Sequence, residues 1–198
     1  MNFIIVAYYT NDGVYGKYVR DLAISLSNFG VEYKIERISS LGGWQENTQY
    51  KPRFIKKMLE DNKGKSIVYV DVDSVFCRYP ALFDTLNCDI AVHMLDHKLY
   101  KPSRRELEIL SGTIFLSNNA AVASLVDQWI QECQNSPDVW DQRVLASIIG
   151  GDFYNLPPEY CCIADYMGRI VTNPVIKHFQ ASREYRKLGL TKRLKSTV

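Results

Sequence analysis

At 198 residues, with 46% hydrophobic and 23% charged side chains, the chain is long enough for one domain with a substantial core. A net charge of +2 gives it no general affinity for polyanions, and no apolar run approaches the ~20 residues that cross a bilayer. The five cysteines (Cys77, Cys88, Cys133, Cys161, Cys162) form no C-x-x-C pair, which argues against a disulfide framework or a zinc site and for reduced, mostly buried thiols.

The first predicted element is a strand, Phe3 to Tyr9, ending near Thr10. No basic segment or small-residue cleavage site precedes it, so we read no signal peptide and expect a cytoplasmic protein. Asn11-Asp12-Gly13 is a turn signal. Tyr15, Tyr18, Val19, Leu22, Ala23, Leu26 and Phe29 recur at helical spacing, with Gly30 as the stop. A second strand follows at Tyr33 to Ile38, and Ser39 to Gln49, polar and carrying Gly42-Gly43, is expected to be a loop. Pro52 opens a helix that closes near Gly64 and buries Phe54, Ile55, Met58 and Leu59. Ser66 to Val70 is the third strand. Asp89 to Met94 and Gly112 to Leu116 are further strands, with residues 95–110 a loop holding one short helix. Val122 to Cys133 and Trp140 to Ile149 are helices, Asn155-Leu156-Pro157-Pro158 is a stiff extended piece, and Val175 to Phe179 is a late strand. From Arg183 to Lys195, six basic residues (Arg183, Arg186, Lys187, Lys192, Arg193, Lys195) stand against Glu184, which reads as a solvated terminal helix or tail over 183–198. Strands alternating with helices imply an α/β domain with a mainly parallel sheet covered on both faces.

The third strand ends in Asp71-Val72-Asp73. Two carboxylates released by a buried strand, one residue apart, converge if the backbone stays extended, and they then repel unless a cation or a proton sits between them. A hard divalent ion held by oxygen ligands resolves that repulsion. The competing reading is local: one Asp caps the following turn and the other faces water. Ligands of parallel sheets bind outside the carboxyl ends of the strands, which is where this tripeptide stands.

Read outward from that point, the chain resembles the nucleotide-diphospho-sugar transferases of the GT-A glycosyltransferase fold. Val68-Tyr69-Val70-Asp71-Val72-Asp73, Ser111-Gly112-Thr113-Ile114-Phe115, Leu125 to Trp129, Trp140-Asp141-Gln142, Asn155-Leu156-Pro157 and His178-Phe179-Gln180 occur in the family's order. The resemblance covers about residues 3 to 183 and implies one transferase domain over 1–182. It implies that Asp71 and Asp73, completed by His178, bind Mn²⁺ or Mg²⁺ against the diphosphate of a nucleotide-sugar donor, a UDP-sugar first of all. It implies that the first strand brings Ala7, Tyr8, Tyr9 and Thr10 near the base, with at most one of the two tyrosines free to stack. Val72 and Gly112 belong to the same donor site. Lys51, Arg53 and Arg183 are candidate cations for the diphosphate. The Asp141-Gln142 pair is implied to act near the sugar or acceptor: Asp141 deprotonates the acceptor in an inverting enzyme and orients the sugar in a retaining one. A helix amino-terminal acid interacting with the dipole explains Asp141 equally well. Asp96 is a further candidate for sugar hydroxyls, whereas His93 and His97 read as structural or exposed. The acceptor (glycan, protein, lipid or nucleic-acid base) is not encoded in the spacing, and so short a chain leaves its recognition to a mobile loop, a homo-oligomer or a partner.

Two other readings compete. A haloacid-dehalogenase-type phosphatase would use Asp71 as nucleophile and Asp73 as general acid, with Ile114 to Asn118 as the phosphate-binding motif. Against it, Asn118 to Gly151 contains no lysine, and two strands and two helices precede the supposed nucleophile strand. A non-catalytic nucleotide-sugar or glycan binder of the same fold is the third reading, disfavoured by the presence together of Asp71, Asp73 and His178.

Overall fold

The computed structural model describes residues 2–11 and 15–181. In chain order the elements are β1 (Phe3–Thr10), α1 (Gly16–Asn28), β2 (Tyr33–Ile38), α2 (Trp44–Gln49), α3 (Lys51–Asp61), β3 (Ser66–Val70), β4 (Ser74–Phe76), β5 (Ile90–Asp96), α4 (His97–Tyr100), β6 (Leu107–Leu116), α5 (Ala120–Asn135), α6 (Asp141–Ile148), β7 (Tyr154–Asn155), β8 (Cys162–Ile163), α7 (Ala164–Met167) and β9 (Ile176–His178). The main sheet has the order β2-β1-β3-β6-β5-β7. β1 runs parallel to β2 and β3, and β5 parallel to β7, while β6 is antiparallel to both of its neighbours. The expected α/β frame is therefore a mixed sheet with one reversed strand. The reversal follows from the short return between β5 and β6, because a parallel return needs a crossover of a dozen residues or more. A smaller sheet, β4-β9-β8, stands beyond the carboxyl end of β3.

Strand alternation sorts the core into two faces. Ile4, Val6, Tyr8, Ile67 and Tyr69 pack with Phe54 and Met58 of α3 and with Val126 and Trp129 of α5. Phe3, Ile5, Ala7, Val68 and Val70 pack with Leu22 and Leu26 of α1 and with Phe76 and Ile176 of the small sheet. Gly30 (φ +62°) and Gly64 (φ +85°) take the left-handed backbone that ends α1 and the turn after α3, as expected of glycine there.

Two stretches differ from expectation. Residues 39–49 hold α2 inside the predicted loop, since Gly43 is an extended N-cap and the helix is too short and polar to show a periodicity. β6 begins at Leu107, well before Gly112, because its outer half carries Glu108 and Ser111 and so lacks an unbroken apolar run. The thiols of Cys133, Cys161 and Cys162 are buried and free, with Cys77 exposed. No described helix is long and apolar enough to cross a membrane. The basic stretch 183–198 lies outside the described residues, as do Asp12 and Gly13 of the predicted turn.

Candidate active site

Asp71 and Asp73 do come together, but by a different route from strand alternation. β3 stops at Val70, and Val72 and Asp73 form a turn into β4. Backbone pairing then supplies the rest of the site. The Asp71 amide donates to the Gly112 carbonyl at 2.9 Å, which sets β6 beside the first carboxylate. β4 pairs with β9 so that Ser74 faces His178, which brings the imidazole beside Asp73. Ligand atoms of Asp71, Asp73 and His178 all lie within 4.8 Å of one another.

The space between them depends on Gly112. A Cβ there would stand 3.2 Å from His178 Cε1 and 3.3 Å from both His178 Nδ1 and Asp71 Oδ2. The far ring nitrogen, His178 Nε2, is hydrogen-bonded to Thr113 Oγ1 at 2.9 Å. Burial lowers the His178 pKa to about 4, against the opposing pull of Asp71, so the ring is neutral at pH 7 and Nδ1 carries a lone pair when Nε2 holds the proton. Asp73 is buried, and its carboxylate accepts from the Ala181 amide. Burial first, and the Asp71 charge second, push its carboxyl up to about 6. This is the electrostatic signature of a site that wants a positive charge.

A positive charge of the protein's own sits beside the cluster. Lys51, the first residue of α3, is buried, with its ammonium 2.8 Å from Asp141 Oδ2 and 3.3 Å from Asp71 Oδ1. It also donates to Ser111 Oγ (2.9 Å) and the Ser111 carbonyl (3.1 Å). Burial pulls the Lys51 pKa down, but Asp141 and Asp71 together outweigh it and hold the ammonium above its ordinary value. Asp141 is itself buried at the start of α6, with its carbonyl accepting from the indole of the buried Trp129 at 3.0 Å. Tyr69 donates its hydroxyl to Asp71 Oδ1 at 2.9 Å. Gln142 spans outward: Oε1 accepts from the Ser111 amide (3.0 Å) and Nε2 donates to Glu108 Oε1 (2.8 Å).

All of these residues except Val70, Ser74, Thr113, Trp129 and Ala181 line one cavity of about 870 Å³. Of the residues expected from the sequence, Tyr8, Tyr9, Thr10, Lys51, Asp71, Val72, Asp73, Gly112, Asp141, Gln142 and His178 all reach it. Ala7 does not. It points to the opposite face of β1, under α1, as period-two alternation requires. Tyr8 is a core ring, edge-on to Tyr50 at 5.4 Å, with its hydroxyl on the Asn47 carbonyl, which leaves the half-buried Tyr9 as the freer aromatic. Arg53 lines a separate, smaller pocket beside Tyr50 and Cys133. Asp96 is spent as the N-cap of α4, accepting from the Lys98 amide. Arg183 lies outside the described residues. His93 and His97 are both held structurally: His93 is bonded to the Leu156 carbonyl, and His97, buried on the cavity wall, to the Tyr166 hydroxyl and the Glu108 carboxylate. Glu108, Arg104, Trp44 and Tyr166 also line the cavity and carry no sequence signal, since three sit alone within a loop or a short helix and Glu108 lies on the outer half of β6, which has no unbroken apolar run. Gln180, seen in sequence only as the end of a motif, lines it too, with φ +54° and a buried Oε1 that has no partner among the described residues.

The model of one family, the nucleotide-diphospho-sugar transferases, matches residues 28–187. The chain belongs to that family. No curated protein sequence matches it. Similar solved structures include a glycosyltransferase involved in glycosylation of the major capsid of PBCV-1, at 12% identity and TM-score 0.71, with 96% of this chain and 99% of that one covered. The glycosyltransferase GlyE of Streptococcus pneumoniae TIGR4 aligns at 12% identity and TM-score 0.63, over 98% of this chain and 66% of its own. The galactosyltransferase LgtC, solved with donor and acceptor sugar analogs, aligns at 11% identity and TM-score 0.52, over 97% and 98%. At such identities the structural likeness shows the GT-A fold alone, and the family model shows the enzyme class. The transferase family membership sets aside the phosphatase reading of Asp71 and the purely binding one.

Proposed function

We propose that this transferase moves a sugar from a nucleotide-diphosphate sugar, a UDP-sugar in the first instance, to a hydroxyl acceptor with Mn²⁺ or Mg²⁺ bound at Asp71, Asp73 and His178. One observation carries the reading: three ligand atoms within 4.8 Å of one another, gathered over a glycine whose missing side chain leaves the space between them. The donor set, two carboxylates and a neutral imidazole nitrogen, is of a kind that would hold a divalent cation. When bound, the ion supplies positive charge to the diphosphate as the bond between sugar C1 and the phosphate oxygen breaks.

The rest falls to the chain's own residues. Lys51 holds a second positive charge beside Asp71 in a buried setting, where it acts more strongly than in water. Thr113 fixes the His178 ring, and Tyr69 fixes Asp71. Tyr9, Thr10 and Val72 form the wall for the nucleoside. Asp141, buried and ion-paired to Lys51, is suited to orienting that ammonium and, through Ser111, the Gln142 amide, and ill suited to receiving a proton from an acceptor.

The test is a thermal-shift panel of nucleoside diphosphates with and without Mn²⁺. Ligand at a hundred times its dissociation constant adds ~2.7 kcal/mol. A melt that no nucleoside diphosphate moves in the presence of Mn²⁺ defeats the proposal, and so does an Asp73→Asn variant that keeps metal-dependent affinity.

A further inference from the structure

Among the described residues four carboxylates line the cavity: Asp71, Asp73, Glu108 and Asp141. Three have occupations already, two at the cation cluster and one in the Lys51 ion pair. Glu108 is left. It sits on the outer half of β6 with its side chain 37% exposed, so it meets both the protein and the cavity.

Its carboxylate is held from two sides. Oε2 is 2.7 Å from His97 Nε2, and Oε1 accepts from Gln142 Nε2 at 2.8 Å. His97 is buried, and its other nitrogen is bonded to the Tyr166 hydroxyl at 2.7 Å, which fixes the ring. A carboxylate has about four lone-pair sites on two oxygens, and the protein uses one on each. What remains is a rigid, forked acceptor with two open positions. Such a fork matches two hydroxyl donors on adjacent carbons, the arrangement found on a sugar ring. The same cavity is lined by the aromatic rings of Tyr166 and Trp140, which suit the ring's C–H side, although one face of Trp140 is already covered by the Arg143 guanidinium at 4.2 Å.

Resting on the donor reading above, we propose that Glu108 is the acceptor-binding residue of this enzyme and that the acceptor is a carbohydrate presenting a vicinal diol to the carboxylate. Gln142 joins this site to the donor side, since its Oε1 accepts from the amide of Ser111, whose hydroxyl donates to Asp141. His97 positions the carboxylate and does not touch the substrate, and Tyr166 fixes the His97 ring through its hydroxyl.

The experiment is saturation-transfer NMR with methyl α- and β-glucosides, galactosides and N-acetylglucosaminides, each with UDP and Mn²⁺ present, on the wild type, Glu108→Gln and Glu108→Ala. UDP affinity in Mn²⁺ is measured on all three. The expected result is binding of at least one glycoside to the wild type, a loss of tenfold or more in both variants, and UDP affinity unchanged within twofold. Removing either of two adjacent hydroxyls from the bound glycoside abolishes the signal. Glycoside binding that survives both substitutions overturns the proposal, as does a wild type that binds UDP with Mn²⁺ but none of the glycosides. A wild type that does not bind UDP overturns the donor reading instead.

Discussion

Replacing Lys51 by Met tests whether the buried charge network is organised as described. The thioether side chain keeps the length and apolar stem of lysine and removes only the ammonium. Four acceptor atoms lose the ammonium, Asp141 Oδ2, Asp71 Oδ1, Ser111 Oγ and the Ser111 carbonyl, at 2.8, 3.3, 2.9 and 3.1 Å, and only hydroxyl donors remain, Ser111 on Asp141 and Tyr69 on Asp71. Asp141 decides the magnitude, because its side chain is only 4% exposed and water cannot replace the lost charge, whereas Asp71 at 39% can turn to solvent. Leaving one buried partner of an ion pair uncompensated costs about 3–5 kcal/mol. In a domain of this size that lowers Tm by about 6–20 °C at roughly 2–4 °C per kcal/mol. Urea denaturation at pH 7.5 without metal reads the loss directly. Lys56→Met is the control, since its pair with Asp127 has side chains 46% and 57% exposed and its removal leaves the midpoint unchanged. Adding Asp141→Asn to Lys51→Met removes the orphaned charge and recovers part of the loss. A Lys51→Met variant within about 1 kcal/mol of the wild type, or a double variant no more stable than the single, refutes the account.

Two further predictions concern the cation cluster. Gly112→Ala puts a methyl 3.2–3.3 Å from His178 and Asp71, so their side chains shift by a few tenths of an ångström; Mn²⁺-dependent UDP affinity falls about 10–100-fold in calorimetry while the fold persists. Unchanged affinity would mean that the space over Gly112 is incidental. The third prediction is about pH. In the metal-free protein the Asp73 carboxyl is raised to about 6, so its contribution to stability is present at low pH and lost as pH rises from its unfolded value through 6. His178, lowered to about 4, contributes in the opposite sense: its share is present above its unfolded value and lost as pH falls through 4. Asp73→Asn deletes the first effect only. Relative to the wild type it therefore gains stability between pH 4.5 and pH 7, and a difference in urea midpoint that is constant over that range contradicts the burial assigned to Asp73.

The outline of the site was legible in the sequence wherever chemistry is carried by short, ordered runs. Apolar periodicity located β1, α1, β2, α3 and β3, because a strand or helix that buries one or two faces must repeat its apolar residues. The Asp-Val-Asp tripeptide stood out as polar residues at the edge of such a run, whereas the Ser-Gly-Thr run, Asp141-Gln142 and His178 were picked out by the family resemblance. α2 and the first half of β6 did not, since one is short and polar and the other turns a charged face to a cavity. The reversed β6 was equally invisible, because strand direction depends on how the chain returns and leaves no mark on the residues themselves.

By itself, then, the amino-acid order determined the α/β class and the third-strand position of Asp71 and Asp73, and its resemblance to a family named the third ligand candidate. Only the tertiary structure decided how they meet. The carboxylates converge through a turn after Val70, and His178, more than a hundred residues later, joins them because β9 pairs with β4. It alone separated Lys51, buried between two aspartates, from Arg53, two residues on and facing another pocket. It alone brought Glu108 against His97 and Gln142. Those juxtapositions are long-range, set by strand pairing and helix packing, and nothing in the local spacing of an isolated glutamate or histidine encodes them.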